Sequence, residues 1–454
     1  MQLIGSDSFT LIIGLGKTGL SCARFLADQG KSFAVADTRE LPPNLAAFRQ
    51  QYPAVEVRCG KLDSAWLQRA NRLLVSPGVS RNEAAIVAAE QAGVEVLGDI
   101  DLFCQAVTAP IVAITGSNAK STVTTLVGEM AADAGVAVGV GGNLGTPVLD
   151  LLSQGEKALY VLELSSFQLE TTECLHAAAA TVLNVSPDHM DRYPDLAAYH
   201  RAKQRVYRNC NHAVFNADDL LTRPLLSDAV AQVSFRLGKP DLGHFGLLQE
   251  DGELFLGKGL TPLLPVRQMK LSGGHNQANA LAALALGDAV GLPIAAMLQT
   301  LQRFGGLEHR CQWLRDLQGV AYYNDSKGTN VGATLAAVAG LGPDLSGKII
   351  LIAGGDGKGA DFAALAEPMR RWGRAALLIG RDAAEIETAL QTDTPCQRAP
   401  TLEAAVQAAQ QLAQAGDLVL LSPACASFDM FKGFEHRGQR FVTAVQALKP
   451  REAR

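Results

Sequence analysis

The sequence predicts an α/β protein divided into three successive units, each built around a mainly parallel sheet. Three observations point there. The chain has 454 residues, which at roughly 150 residues per compact unit leaves room for about three cores. Apolar, β-branched runs repeatedly end in glycine-rich turns and lead into alanine-rich helical patterns, the order of elements that makes βα units and parallel sheets. The composition is 48% hydrophobic and 19% charged, with 44 Gly and 19 Pro, which fits an ordinary globular protein rather than collagen, coiled coil or bulk disorder.

The first unit, 1–98, opens with the strand FTLIIG, the helix TGLSCARFLADQG and the strand KSFAVADTR, and later adds RLLVSPGVS and GVEVLGD. The second, 99–306, begins with PIVAITG and continues through ALYVLELSS, AAATVLNVS, HAVFNADD and the helical NQANALAALALGDAVG. Inside it, segment 231–270 alternates in short runs such as GELFLG and PLLPV, which predicts a small antiparallel excursion. The third, 307–454, contains VAYYNDSKGTN, KIILIAGGDGKG, AALLIG and DLVLLSPAC. No repeat or low-complexity tract interrupts the series.

Composition also narrows the function. The charge-free stretches 102–119 and 271–287 are broken by Pro110 and Gly116, and by Gly273 and Gly274, so no membrane span is expected. The opening MQLIGSDSFT lacks a basic region followed by an apolar one, and a cytoplasmic protein is expected. Eight cysteines without CxxC or Cys/His metal spacing predict reduced, structural thiols. A net charge of -5 argues against a nucleic-acid surface, and any phosphate site must be local.

Two glycine-rich turns are the places for phosphate. Gly14, Gly16 and Gly19 form G-x-G-x-x-G between a strand and a helix, and Asp37 closes the next strand. This makes the first unit Rossmann-like. Backbone N–H groups at a helix N-terminus accept any nucleotide diphosphate, however. A nicotinamide dinucleotide, a UDP-sugar and a turn that only packs helix on strand all remain open from these residues, and with the first an NAD-dependent oxidoreductase. The second turn, AITGSNAKSTVTTL, places Gly116, Ser117, Asn118, Ala119, Lys120, Ser121 and Thr122 between strand and helix. It has the form of a P-loop: Lys120 and backbone donors for the β- and γ-phosphates of ATP, and a hydroxyl of Ser121 or Thr122 for Mg2+. It departs from G-x-x-x-x-G-K-[ST] at Ile114 and Ala119, and the Ala119 methyl predicts a loop that avoids positive φ there.

Further along, Glu163 ends an apolar strand, and Asp188, His189 and Asp191 gather in NVSPDHMDRYP. A carboxylate at a strand end after a P-loop is where a magnesium ligand is expected. Magnesium prefers oxygen, so His189 reads equally as a hydrogen-bonding loop histidine. Lys203, in AAYHRAKQRVY, reads on its own as an ordinary exposed helical lysine.

Eight motifs then follow one another in a fixed order: TGSNAKSTVTTL, GGNLGTP, ELSSFQLE, NVSPDHMDRYP, GGHNQANALAA, NDSKGTN, GGDGKGADF and SPACASFDMF. Together they span nearly the whole chain and resemble the Mur ligases of cell-wall peptide synthesis, most of all the members that add D-glutamate. The resemblance implies a UDP-sugar, not NAD, at the first turn, held by Gly14, Lys17, Thr18, Asp37, Thr38, Arg39, Ser76 and Gly78, with Pro77 beside them. Asn143 corresponds to an amide near the reacting end of that substrate, although by itself it reads equally as a turn residue with positive φ. Lys203 corresponds to a lysine carried as a carbamate, an anion that helps Ser121, Glu163 and His189 organise magnesium; this requires the site to favour the unprotonated amine.

The same resemblance assigns His275, Asn276 and Asn279 to adenine and ribose, Arg310 to the ATP phosphates, and Asp325 to the ATP site. Lys327 goes to phosphate or to pairing with Asp325. D-glutamate falls to Thr329, Lys358, Ser427 and Phe434, near Ser326 and Phe428, with Lys358 and Thr329 on its side-chain carboxylate. The units are then, in order, a UDP-sugar-binding domain, a P-loop ATPase-like central domain and a Rossmann-like amino-acid-binding domain. The implied reaction joins D-glutamate to UDP-N-acetylmuramoyl-L-alanine through an acyl phosphate, with Lys120, His189 and Lys203 as catalytic residues, ATP and Mg2+ as cofactors, and inward rotation of the third unit excluding water. A monomer without nucleic-acid or membrane partners is expected. The alternatives are another Mur ligase, a folylpolyglutamate synthase or a nucleotide-regulated binding module; the oxidoreductase would leave Lys120, Glu163 and His189 without a task.

Overall fold

The computed structural model describes residues 9–227, 230–271, 273–390, 392 and 394–451; the first eight residues of MQLIGSDSFT lie outside them. The described residues fall into two compact units, one drawn from those within 9–184, 200–263 and 280–300, the other from those within 185–199, 264–279 and 301–451.

The first compact unit contains two sheets. The amino-terminal one comprises β1 (Thr10–Ile13), β2 (Phe33–Asp37), β3 (Val57–Cys59), β4 (Arg72–Val75) and β5 (Glu95–Leu97) in the order β3-β2-β1-β4-β5. All four pairings are parallel. Leu11, Ile13, Ala36, Leu73 and Val75 bury one face against Trp66, Leu67 and Ile86, as apolar runs covered by helices require. Strand order reverses between β1 and β4, which leaves a crevice at their carboxyl ends, the place where such sheets take ligands.

The second sheet has nine strands: β6 (Ile111–Thr115), β7 (Val138–Gly142), β8 (Leu159–Glu163), β9 (Ala179–Val182), β10 (His212–Asn216), β11 (Ala231–Phe235), β12 (Phe245–Glu250), β13 (Glu253–Lys258) and β14 (Thr261–Pro265), ordered β14-β13-β12-β11-β10-β9-β6-β8-β7. The expected antiparallel excursion is the β12–β13 hairpin. It is not a separate sheet; β11 pairs parallel with both β10 and β12, and the excursion extends the central sheet by its edge. Register sets Ile114 opposite Glu163 and Thr115 opposite Val182, so the turn after β6 emerges between the ends of β8 and β9.

The third sheet, in the second compact unit, contains β15 (Gln312–Leu317), β16 (Val320–Asn324), β17 (Ile349–Gly354), β18 (Gly373–Ile379), β19 (Cys396–Arg398) and β20 (Leu418–Leu421), ordered β15-β16-β20-β17-β18-β19. Only β15–β16 is antiparallel among its described pairings. The carboxyl ends of β16, β20 and β17 adjoin and carry NDSKGTN, SPACASF and GGDGKG respectively. Three sheets, mostly parallel, agree with the predicted fold class. Among the described residues no helix is long and apolar enough to cross a membrane, and all eight cysteines are free thiols.

Candidate active site

At the carboxyl end of β1, Gly14 takes φ 97° and accepts a hydrogen bond from Ser76 Oγ at 3.0 Å. A Cβ at Gly19 would overlap the Gly14 carbonyl oxygen. The outer two glycines of the motif thus serve the turn and the seating of helix Lys17–Asp28, whatever else they hold. Asp37 is buried and accepts from the Leu15 backbone N–H at 2.6 Å. The Arg39 guanidinium grips the same carboxylate with two bonds, 2.9 and 2.7 Å. Burial alone would raise the Asp37 pKa, but the bonds from Arg39 and from the backbone outweigh it and hold it below the ordinary carboxylate value. Lys17, Thr38 and Gly78 stand at the rim, exposed, with Thr18 and Pro77 half-buried.

The turn after β6 corrects one expectation. Ala119 adopts φ 65° instead of avoiding the left-handed region. It is the residue at which the chain turns into helix Lys120–Asp133, and the turn is enforced from outside: the Ser117 N–H donates to the Asn184 carbonyl at 2.9 Å, and the Asn118 N–H to Asn184 Oδ1 at 2.8 Å. Asn184 Nδ2 returns a bond to the Asn118 carbonyl at 3.2 Å. A methyl at positive φ costs on the order of 1 kcal/mol, which these bonds offset. Lys120 folds back over the loop, its Nζ 2.8 Å from the Gly116 carbonyl oxygen and 2.9 Å from that of Ser117. Ser121 and Thr122 are buried in the first helical turn.

Glu163, at the end of β8, is 2% exposed. Its Oε1 accepts from Asn143 Nδ2 at 2.6 Å, while Oε2 is buried with no hydrogen-bond partner. Of the two readings of Asn143, the turn residue with positive φ is not adopted: positive φ falls on Gly142 (103°) and Gly145 (64°), and the Asn143 amide is employed on Glu163. A buried carboxylate oxygen without a donor is costly unless a cation meets it. Its hard oxygen suits magnesium, and Ser121 lies on the helix that follows the neighbouring strand. Among the described residues no three His, Cys, Asp or Glu side chains gather to hold a metal.

Lys203 overturns its reading as an exposed lysine. It is 1% exposed, and its Nζ donates to the Gly116 carbonyl oxygen at 2.8 Å. Helix Leu196–Gln204 turns this face inward because Tyr199 and Ala202 are buried with it.

In the second compact unit, Asp188 lies beside the loops that follow β16 and β17, with His189 next to it in the chain. His189 has φ 59° and its backbone N–H donates to Asp188 Oδ1 at 2.9 Å. Asp188 Oδ2 accepts from Asn330 Nδ2 at 3.1 Å, and Lys358 Nζ lies 3.8 Å from Oδ1. Asp325 accepts from Ser422 Oγ at 2.7 Å and from the Cys311 N–H at 3.2 Å. Burial raises its pKa to about 6 against those bonds and the charge of Arg310. Lys327 lays its ammonium 3.8 Å from the centre of the Phe434 ring, a cation–π contact. Ser427 is buried, Thr329 half-buried and Phe428 exposed. Asn279 Nδ2 reaches Asn276 Oδ1 at 3.4 Å. The His275 ring is seated against Gly340 and Gly273 with Nδ1 buried and unpartnered, and burial lowers its pKa to about 4.

Comparison with known proteins decides the family. Residues 8–98 match the model of a Mur ligase MurD-like N-terminal domain, 114–287 that of the Mur ligase middle domain, and 309–425 that of the Mur ligase glutamate ligase domain. The chain belongs to the Mur ligase family. The UDP-N-acetylmuramoylalanine–D-glutamate ligases of Pseudomonas syringae pv. syringae and Pseudomonas aeruginosa are each 60% identical to this Mur ligase over 99% of it and 100% of their own length. That of Marinobacter nauticus is 55% identical over the same share of each chain. Among solved structures, a MurF ligase from Thermotoga maritima in complex with ADP superimposes with TM-score 0.62 at 14% identity, covering 97% of this chain and 98% of its own. A pseudomurein peptide ligase type C from Methanothermus fervidus gives 0.60 at 15%, covering 98% and 100%. At those identities the two structures speak for the fold.

The motifs of this Mur ligase concealed three residues that its structure brings forward. Asn184 and Asn330 lie inside quoted motifs, yet nothing local distinguishes them from loop asparagines. Arg437, in helix Phe434–Ala447, reads as a surface residue but is 1% exposed. Its guanidinium donates to Ser326 Oγ (3.1 Å), the Ser326 carbonyl (2.9 Å), the Cys425 carbonyl (two bonds at 3.1 Å) and the Ala426 carbonyl (3.4 Å). It ties the loops after β16 and β20 together. Burial lowers its pKa to about 10, which leaves it charged at neutral pH.

Proposed function

We propose that this Mur ligase joins the amino group of D-glutamate to the carboxyl group of UDP-N-acetylmuramoyl-L-alanine with cleavage of ATP, in the cytoplasmic assembly of peptidoglycan precursors, and works as a monomer. The observation that carries the reading is 60% identity over 99% of the chain to ligases bearing that name. The domains assigned are 1–98 for the UDP-sugar, 99–306 for ATP and 307–454 for the amino acid, a division supported by the ranges of the three family models.

In this reading the turn at Gly14, with Asp37, Arg39 and Ser76, holds the uridine diphosphate, and Asn143 stands near the reacting carboxylate. Gly116 to Thr122 hold the triphosphate, with Asn276, Asn279, Arg310 and Asp325 serving the nucleoside and phosphates. Lys120, now folded over its own loop, swings onto the phosphates and offsets the repulsion between two approaching anions. Ser121, Glu163, His189 and carbamylated Lys203 would hold magnesium, which would supply charge neutralisation at the phosphoryl oxygens. The substrate carboxylate attacks the γ-phosphorus and ADP leaves; the D-glutamate amine then attacks the acyl phosphate carbonyl, forming the amide and releasing phosphate. Thr329, Lys358, Ser427 and Phe434 orient the amino acid, Lys358 supplying the cation for its side-chain carboxylate.

The test is phosphate release and product mass across a panel of amino acids. D-glutamate with UDP-N-acetylmuramoyl-L-alanine should give the amide and stoichiometric ADP. Faster turnover with another amino acid, or with a folate acceptor, would move the chain to another branch of the family.

A further inference from the structure

We infer that Asn330 is a positioning residue for the ligation, holding Asp188 so that His189 and Lys358 keep their places. The inference rests on the assignment of His189 and Lys358 made above. Asn330 is buried at the end of NDSKGTN and divides its amide between two tasks. Oδ1 accepts from the Ala333 N–H at 2.8 Å and caps helix Val331–Leu341. Nδ2 donates to Asp188 Oδ2 at 3.1 Å.

Capping alone does not explain the residue type. Ser, Thr and Asp cap a helix about as well as Asn. Only an amide accepts with its oxygen while donating with its nitrogen, and the donor half is spent on Asp188. That carboxylate is thereby fixed from two sides, by Asn330 at Oδ2 and by the His189 backbone N–H at Oδ1, 2.9 Å. The second bond bears on His189, whose φ of 59° is a conformation that persists only where surrounding contacts determine it.

The same tether governs Lys358. At 3.8 Å from Asp188 Oδ1 the ammonium lies beyond ordinary hydrogen-bond length, so the two charges attract without closing. Held by Asn330, Asp188 does not collapse onto Lys358, and the cation stays available to an incoming carboxylate. Asn330 acts on the site through Asp188, to which its Nδ2 donates.

Asn330→Asp isolates this role, because aspartate keeps the cap and replaces the donor with a second carboxylate facing Asp188. The variant should match wild type in melting temperature and in KM for ATP, lose at least tenfold in kcat, and show a severalfold higher KM for D-glutamate as Asp188 is pushed onto Lys358. The exchange Asp188→Asn with Asn330→Asp reverses the polarity of the hydrogen bond and restores it, and should be more active than Asn330→Asp alone. If Asn330→Asp does not fold, Asn330→Ser, which caps but is too short to reach Asp188, is measured in its place with the same expectation. Wild-type kinetics in the capping variant, or an exchange no better than the single change, overturns the inference. Absence of amide formation by the wild-type enzyme with D-glutamate instead overturns the functional assignment, so the two failures are distinct.

Discussion

Lys120 and Lys203 donate to one and the same acceptor: each Nζ stands 2.8 Å from the carbonyl oxygen of Gly116. Two ammonium groups on one oxygen repel each other, and burial of Lys203 strengthens the repulsion by lowering the local dielectric. A neutral amine at Lys203 removes the conflict and is the form that adds carbon dioxide, making an N–C bond and releasing a proton to give the carbamate anion. Incubation with 13C-bicarbonate should therefore produce a carbamate carbon signal that Lys203→Arg lacks. Lys203→Ala and Lys120→Ala should each lose at least about 100-fold in ligation, on the order of 3 kcal/mol, with far-UV circular dichroism unchanged. Near-normal turnover by either variant would remove it from the catalytic set.

Glu163 supplies the second prediction. Its buried Oε2 has no partner, and an amide in its place relieves an uncompensated charge. Glu163→Gln should unfold at the same urea concentration as wild type or a higher one, yet need at least tenfold more magnesium for half-maximal activity. Chelation of divalent cations should stop the wild-type enzyme. A magnesium requirement unaltered by Glu163→Gln would place the ion elsewhere.

Ala119 holds φ 65°, where glycine is unstrained. Ala119→Gly should stabilise the fold by about 0.5 to 1 kcal/mol in urea denaturation without weakening nucleotide binding. Ala119→Val, branched at Cβ, should destabilise it and raise KM for ATP. Equal stability of all three would mean the loop takes another conformation in solution.

Asp99 makes stability depend on pH. Burial raises its pKa from 3.8 to about 6 against a hydrogen bond from Gln168, and its Oδ1 has no partner. Between pH 4 and 6 the folded chain keeps a proton that the unfolded chain has released, so this group's contribution is full below the lower value and is lost as pH rises through the upper one. Asp99→Asn should erase that slope and be more stable than wild type at pH 7, by roughly 1 to 3 kcal/mol. Parallel stability–pH curves for the two proteins would contradict the assignment.

The order of elements, the parallel sheets and both glycine-rich turns were legible in the sequence, because β-branched runs, glycine turns and alanine-rich helices are local signals that read the same in any surroundings. Glu163 at a strand end and the ordering of eight motifs belong with them. What the tertiary structure decided is which polar groups are buried and on whom they close. Lys203 looked like a solvated helical lysine until the fold brought it to Gly116, 87 residues away in the chain. Arg437 carries no local signal, and only the fold brings it to Ser326, 111 residues away. Ala119 takes positive φ because Asn184, 66 residues on from Asn118, seizes the loop beside it. Asn330 gains its second task from Asp188, 142 residues earlier. A composition or a period is a property of neighbours in sequence; desolvation and hydrogen-bond choice belong to neighbours in space, and those exist only once the chain has closed on itself.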